Sequence, residues 1–418
     1  MSPNRGSPPG LLGRVRGILS LDVLRTAPNF RRLFLATLGS GAGTFLAAVA
    51  LTVDVFDRTG SGAWVSALLI VEFLPIVLIG ILAAPLVDRL SRRRLLIVSD
   101  LVRAAVFCAL PFAGSATVII ALAAVQGVAT GFFRPAVYAG MPNLVDDEQL
   151  PAATSLLQTV ENLTWMIGPV IGGVILTVQG PDLAYWLNAV TFVLSAMLLA
   201  RIPAARLQAG RVESRGHWGD IADGFRVVLQ SRALLTVLVV WNVVMLGAGA
   251  INVAEVALAK VSLDAGDLGF GILLGASGLG LTIGSFVSGH FVDRLGIGRV
   301  YFYAISLMGG GYAIAALAST IYVAIPAVVV ATFGNGAANV CNALFVQRGA
   351  PDELRGRAFT VIMSSTYAML GIGMVASGWL TDLYGARWVW GGAAVACLIG
   401  ALFTVVLAPR GEPEQALA

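Results

Sequence analysis

The chain has 418 residues, of which 57% are hydrophobic and only 12% charged. Soluble domains carry roughly 25% charged residues, so this chain lacks the polar surface a soluble fold requires. Its formal net charge of +4 reflects arginines clustered in a few segments and does not point to nucleic acid.

A bilayer core asks for about 20 consecutive apolar residues per helix. Windows of that kind recur at 33–54, 63–87, 95–114, 117–141, 152–178, 183–201, 233–259, 267–291, 299–319, 321–346, 356–380 and 387–408. The runs are unbroken, whereas outer-membrane strands alternate in short segments. Twelve transmembrane helices are therefore predicted. The first 29 residues lack the apolar core and cleavage site of a removable signal peptide, and 1–32 reads as a cytoplasmic N-terminal segment. The polar stretch 202–232 reads as a cytoplasmic linker. Within it Trp218, Ile221, Phe225, Val228 and Leu229 share one face of an amphipathic surface helix. Residues 409–418 form a tail.

Orientation follows from the basic residues. With the N-terminus inside, the inner segments hold 22 arginines, from Arg5 through the Arg92, Arg93 and Arg94 cluster to Arg410. The outer loops hold 3 cations, Arg58, Lys260 and Arg387. Both termini are expected in the cytoplasm. The cysteines Cys108, Cys341 and Cys397 lie inside apolar spans at no metal-ligand spacing, and the two histidines are too few for a metal site.

Charges within spans are costly, roughly 2.5–3.5 kcal/mol at the centre on insertion scales, and so mark candidate functional residues. In chain order, Asp54 lies near the outer end of the first span, where it either lines a gate or, as expected here, reaches interfacial water. Glu72 sits mid-way along the second span, near Pro75. Asp100 and Arg103, one turn apart in the third span, are expected to join the cytoplasmic gate loop. Arg134 lies near the inner end of the fourth. In the fifth, Gln158, Glu161, Asn162 and Trp165 share a helical face. Arg134 and Glu161 lie at comparable depth and are expected to pair, as a static bridge or as part of proton coupling. A carboxyl loaded on one side and released on the other is the minimum equipment for coupling, which makes Glu161 and Glu72 candidates. The seventh span offers Trp241 and Asn242, the tenth Asn335, Asn339 and Asn342 on one face, and the eleventh Tyr367. These are candidates for a cavity that holds a large, mostly apolar ligand, and the three asparagines equally for bonding between helices. Glu255, like Asp54, is expected at interfacial water.

The sequence also repeats at an offset of 205 residues. Asp88, Arg89 and Leu90 map onto Asp293, Arg294 and Leu295, Gly131 onto Gly336, Gly173 onto Gly378, and Gly180 onto Gly385. Six spans separate equivalent points, so both halves run the same way, as in parallel repeats with a site between them. The expected bundles are 33–201 and 233–408, giving an all-α integral membrane protein of two pseudo-symmetric six-helix bundles.

The run Ala84-Pro-Leu-Val-Asp88-Arg89-Leu-Ser91-Arg92-Arg93-Arg94 resembles the cytoplasmic signature Gly-x-Leu-x-Asp-Arg-x-Gly-Arg-Arg of the major facilitator superfamily. Gly289-His-Phe-Val-Asp293-Arg294-Leu-Gly296 repeats it. Thr164-Trp-Met-Ile-Gly168-Pro169-Val-Ile-Gly172-Gly173 is similar to that family's antiporter motif, with Thr164 for its first glycine. Phe133-Arg-Pro-Ala136, Pro142-Asn-Leu-Val and Pro351-Asp-Glu-Leu-Arg-Gly-Arg357 resemble the branch of macrolide and siderophore exporters. The resemblance implies proton-coupled efflux of a hydrophobic compound or siderophore by a monomer in a bacterial cytoplasmic membrane. No nucleophile–base pair, phosphate loop or metal cluster stands out in the sequence, so no enzyme site or cofactor is expected. The resemblance also implies a gate loop of Asp88, Arg89, Arg92, Arg93, Asp293 and Arg294. A family arginine of the fourth span is Ala123 here. Lipid or lysophospholipid transport, nutrient uptake and a non-transporting sensor are the competing expectations.

Overall fold

The computed structural model describes residues 22–82, 90–207, 225–351 and 354–408. Asp88, Arg89 and Trp218 therefore lie outside the described residues, as do the segments 1–21 and 409–418.

Among the described residues, twelve helices are long and apolar enough to cross a membrane. They are α1 Pro28–Thr59, α2 Gly62–Leu82, α3 Arg92–Ala109, α4 Ala116–Gly140, α5 Leu150–Gln179 and α6 Pro181–Ala200. The second six are α7 Arg232–Ala257, α8 Gly266–Leu295, α9 Ile297–Leu317, α10 Ile321–Gly349, α11 Arg355–Tyr384 and α12 Ala386–Leu407. Several run past the predicted spans. α1 begins earlier because Pro28 suits the first turn of a helix, where a missing N–H costs nothing. It ends at Gly60, which is left-handed at φ 62° and donates its N–H to the carbonyl of Phe56. Of the expected surface helix, 225–230 is helical, with Val228 buried and Phe225 and Leu229 exposed.

The packing repeats as the sequence does. In the first half α1 lies on α5 and α6, α3 on α4 and α6, and α2 on α4. In the second half α7 lies on α11 and α12, α9 on α10 and α12, and α8 on α10. Each pair in one half has its counterpart in the other. Gly180 and Gly385 join α5 to α6 and α11 to α12 at φ 74°, ψ −175° and φ 85°, ψ 161°. Side chains other than hydrogen are essentially excluded from that region, so the repeat preserves glycine at both turns.

Glycines also bring helices within each half together, as small residues do in lipid. A Cβ on Gly127 of α4 would lie 2.6 Å from the carbonyl oxygen of Val71 in α2. In the second half, one on Gly336 of α10 would lie 2.1 Å from that of Leu281 in α8.

The two halves meet along α2–α11 and α5–α8. Those seams run through the end of the molecule away from residues 22 and 408, here the far end. The end carrying those residues is the near end. At the far end Phe112, Trp186, Tyr322 and Trp388 are exposed, an aromatic ring of the kind that marks a membrane–water interface.

Candidate functional site

Helical periodicity locates the site. On α5 the stripe that faces the other half runs through Met166, Pro169, Val170 and Gly173. All four pack on Gly271, Gly275 or Gly278 of α8. One and two turns nearer the near end the same stripe continues as Asn162 and Gln158, and both are exposed. On α8 the stripe continues into Phe286 and Gly289, also exposed. On the α2–α11 seam Gly62, Ala63 and Ser66 touch Gly378, and the Ser66 hydroxyl donates to the Met374 carbonyl at 2.7 Å. Deeper, Phe73 and Tyr367 meet edge to face at 5.7 Å, and Thr360, two turns beyond them on α11, is exposed. The halves are thus joined at the far end and splayed at the near end, with a wedge-shaped cavity between them.

The first-half wall carries the charge. The Arg134 guanidinium on α4 donates to the Glu161 carboxylate on α5 at 2.9 Å. The side chain of Arg134 is 59% exposed and that of Glu161 28%. Tyr138, one turn from Arg134, interacts with the same carboxylate. Pro135 follows Arg134 within α4, where the missing N–H permits a bend. Glu72 is half-buried on α2, and among the described residues its carboxylate makes no hydrogen bond. Trp165, on the seam face, is half-buried.

At the depth of Arg134 and Glu161 the second-half wall is neutral among the described residues. On α10 the Asn339 amide donates to Asn335 at 2.8 Å, with Asn339 exposed. Asn242 on α7 donates to the Ser365 hydroxyl at 3.1 Å, and Tyr367 is exposed. Two expected cavity residues are placed elsewhere. Trp241 is 3% exposed and lies in the core of the second half. Asn342 is buried, and among the described residues its amide makes no hydrogen bond of good geometry. It is one helical turn from Asn339 but packs inward, beside Tyr301.

Asp100 and Arg103 are interior residues and do not belong to a surface gate loop. The Arg103 guanidinium donates to Asp100, and the Ser195 hydroxyl donates to the other carboxylate oxygen at 2.6 Å. The guanidinium lies over the rings of Phe133 and Phe192 at 4.1 and 4.4 Å. Of the gate-loop residues, Arg92 donates to the carbonyls of Ala139 and Leu207, and Arg93 to that of Ala200. Both tie helix ends within the first half. Asp293 and Arg294 are exposed at the near end of α8.

Asp54 and Glu255 do not reach interfacial water. Asp54 is buried, accepting from Arg58 at 2.6 Å and from the Tyr185 hydroxyl at 3.0 Å. Arg58 also donates to the Ala113 carbonyl. The spacing of Asp54 and Arg58, four residues apart on a helix, signals that pair. Glu255 is 3% exposed, and among the described residues its Oε1 has no hydrogen bond.

The glycines of Gly168, Pro169, Gly172 and Gly173 divide by direction. A Cβ on Gly168 would meet Phe45 at 2.7 Å, and one on Gly172 the carbonyl of Leu46 at 2.6 Å, both on α1. A Cβ on Gly173 would face the other half, 2.9 Å from the carbonyl of Asp267 and 3.2 Å from the Cα of Leu268. The repeat-related Gly378 sits 2.9 Å from the Cα of Ala63 by the same measure. Residues 268 and 63 are themselves one repeat apart, so the two seams are built alike.

The family model of the Major Facilitator Superfamily matches residues 33–369 and 242–418. Multidrug efflux pump Tap of Mycolicibacterium fortuitum is 26% identical over 370 residues, covering 84% of this chain and 89% of that protein. Macrolide efflux protein A of Streptococcus pyogenes is 24% identical over 374 residues, covering 81% and 86%. Among solved structures, the nucleoside transporter NupG superposes with a TM-score of 0.75 at 13% identity, covering 92% of this chain and 100% of that one. A bacterial homologue of the iron transporter ferroportin, in an inward-facing state, gives 0.73 at 16% identity, covering 92% and 99%. Those two likenesses concern the fold alone. A twice-built bundle, a cavity between its halves and a family match across both of them lead to one conclusion: this chain belongs to the Major Facilitator Superfamily of membrane transporters.

Proposed function

We propose that this transporter exports bulky, largely apolar compounds by alternating access, driven by the proton gradient of a bacterial cytoplasmic membrane. The observation that carries the reading is the wedge-shaped cavity, charged on one wall and neutral on the other. Arg134 and Glu161 belong to the first half, and the amides of Asn335 and Asn339 and the ring of Tyr367 to the second. Such a mixture suits a large ligand with few polar groups. Relatives named for drug and macrolide efflux at modest identity support the direction of transport.

The arginines gather at the near end, which is therefore the cytoplasmic side, with both termini there. The splayed cavity then opens inward and takes up its cargo from the cytoplasm or inner leaflet. Coupling runs through Glu161. Protonating its carboxylate removes the charge that holds Arg134, frees the guanidinium, and changes the wall that the substrate touches. Glu72 on α2, whose carboxylate makes no hydrogen bond among the described residues, is the second proton carrier. The working unit is a monomer with the bilayer and its small-molecule cargo as partners, and no cofactor takes part.

The test is purified protein in liposomes with an imposed pH gradient and a panel of macrolides, dyes and siderophores. Parent protein should move at least one compound only while the gradient lasts. Glu161→Gln should still bind that compound but lose gradient-driven transport, on the order of 10²-fold, the scale on which proton-transfer groups contribute. Undiminished gradient-driven transport by Glu161→Gln would remove Glu161 from the mechanism.

A further inference from the structure

Asp382 lies in the last turn of α11, a helix of the second half. A carboxylate there is unfavourable to its own helix, whose C-terminus already carries partial negative charge. It accepts instead from the opposite half. The backbone N–H of Gly62 donates to its Oδ1 at 2.6 Å. The Ala63 N–H and the Ser61 hydroxyl donate to Oδ2 at 3.2 and 2.7 Å. These groups form the N-terminus of α2, which has no acidic residue in its own first turn. α2 therefore takes its capping anion from the other half of the molecule.

The repeat shows that this arrangement is specific to one seam. Adding the repeat offset to Gly62 gives Asp267, so α8 carries an acid in its own first turn where α2 has none. Subtracting it from Asp382 gives Thr177, whose hydroxyl donates to Gly173 within α5 and caps nothing. The second seam is closed differently. Lys260, just beyond α7, donates to Asp57 on α1 of the first half at 2.5 Å and to Asp267 at 2.6 Å.

We propose that Asp382 on α2 and Lys260 on Asp57 form the releasable lock that holds the far end shut. Both contacts join side chains of one half to groups of the other. Asp382 and Asp57 stay exposed, so water replaces their partners when the halves part. An open far end has no donors for Asp382 and no second anion for Lys260. The proposal rests on the alternating-access reading above, because a lock matters only if the halves move.

The experiment uses the full chain in lipid nanodiscs with spin labels. The far-end pair replaces the exposed residues Val178 and Val261, one in each half. The near-end pair replaces the exposed, repeat-related Arg94 and Arg299. Asp382→Ala should raise the far-end-open population about fivefold, the effect of a lost N-cap, and shorten the near-end distance in step. Lys260→Met should act in the same direction, and the double variant should exceed either. Asp382→Asn, which keeps the shape and one acceptor, covers the case in which the alanine variant does not fold. Suppose parent distances respond to an imposed pH change while all these variants match the parent. The lock is then refuted and alternating access stands. Distances that never change, in parent or variants, overturn both.

Discussion

Asp100 and Arg103 are charged residues that a membrane chain has no obvious reason to bury, yet they are 0% and 3% exposed. Removing one partner of a buried pair strands the other, at about 3–5 kcal/mol, whereas replacing both by apolar groups is often neutral. The second half supplies the replacement, because the repeat places Ile305 and Met308 at these positions, both fully buried. Arg103→Met alone is expected to lower thermal stability in detergent by the amount of a stranded charge. Adding Asp100→Ile to it should recover most of the loss. A double variant no more stable than the single one would show that the ion pair itself is required. At this scale the sequence is readable where two residues constrain each other. Depth alone brings Arg134 and Glu161 together, and spacing signals Arg58 with Asp54. Trp241 illustrates the limit. α7 is apolar around its whole circumference, so periodicity selects no face for it, and only packing shows that it points into the core.

Along a helix, the same motif does two jobs that its spelling does not separate. Gly168 and Gly172 of α5 let α1 approach within the first half, while Gly173 lets α8 of the other half approach. Substituting each with leucine should therefore give different outcomes. Gly168→Leu drives a side chain into Phe45 and the α1 backbone, and should cut the yield of folded protein. Gly173→Leu leaves each half intact but pushes α5 off α8. It should purify well, with slowed transport and a loosened far end, and Gly378→Leu should behave alike on the other seam. Equal folding defects in all three would mean that the halves do not fold as separate units. The offset of 205 residues is readable from the sequence and aligns Gly173 with Gly378. Which partner each glycine meets is not, because it depends on helix rotation, and one residue turns the direction by about 100°. The cap on α2 is invisible for a related reason: Asp382 and Gly62 are more than 300 residues apart, and no local pattern links them.

For the molecule as a whole, the decisive property is that one end of the seam between halves is closed and the other open. A stripe that is packed at Met166 and Pro169 and exposed at Asn162 and Gln158 implies water access from one side of the membrane. Cysteines placed at Gln158 and Asn339, on opposite walls, turn that into a measurement. The background is low, since Cys341 and Cys397 are buried and Cys108 is half-buried and replaceable by alanine. A membrane-impermeant maleimide should label both positions from the side on which a cysteine at Arg299 reacts, and leave them untouched from the side of Val178. Bound substrate should protect both together, because a ligand wide enough to touch one wall of a narrowing wedge also touches the other. Protection of Gln158 without Asn339 would place the ligand on the charged wall alone. Labelling from the Val178 side would mean that the cavity faces the other compartment at rest, and that export begins from an outward-open state.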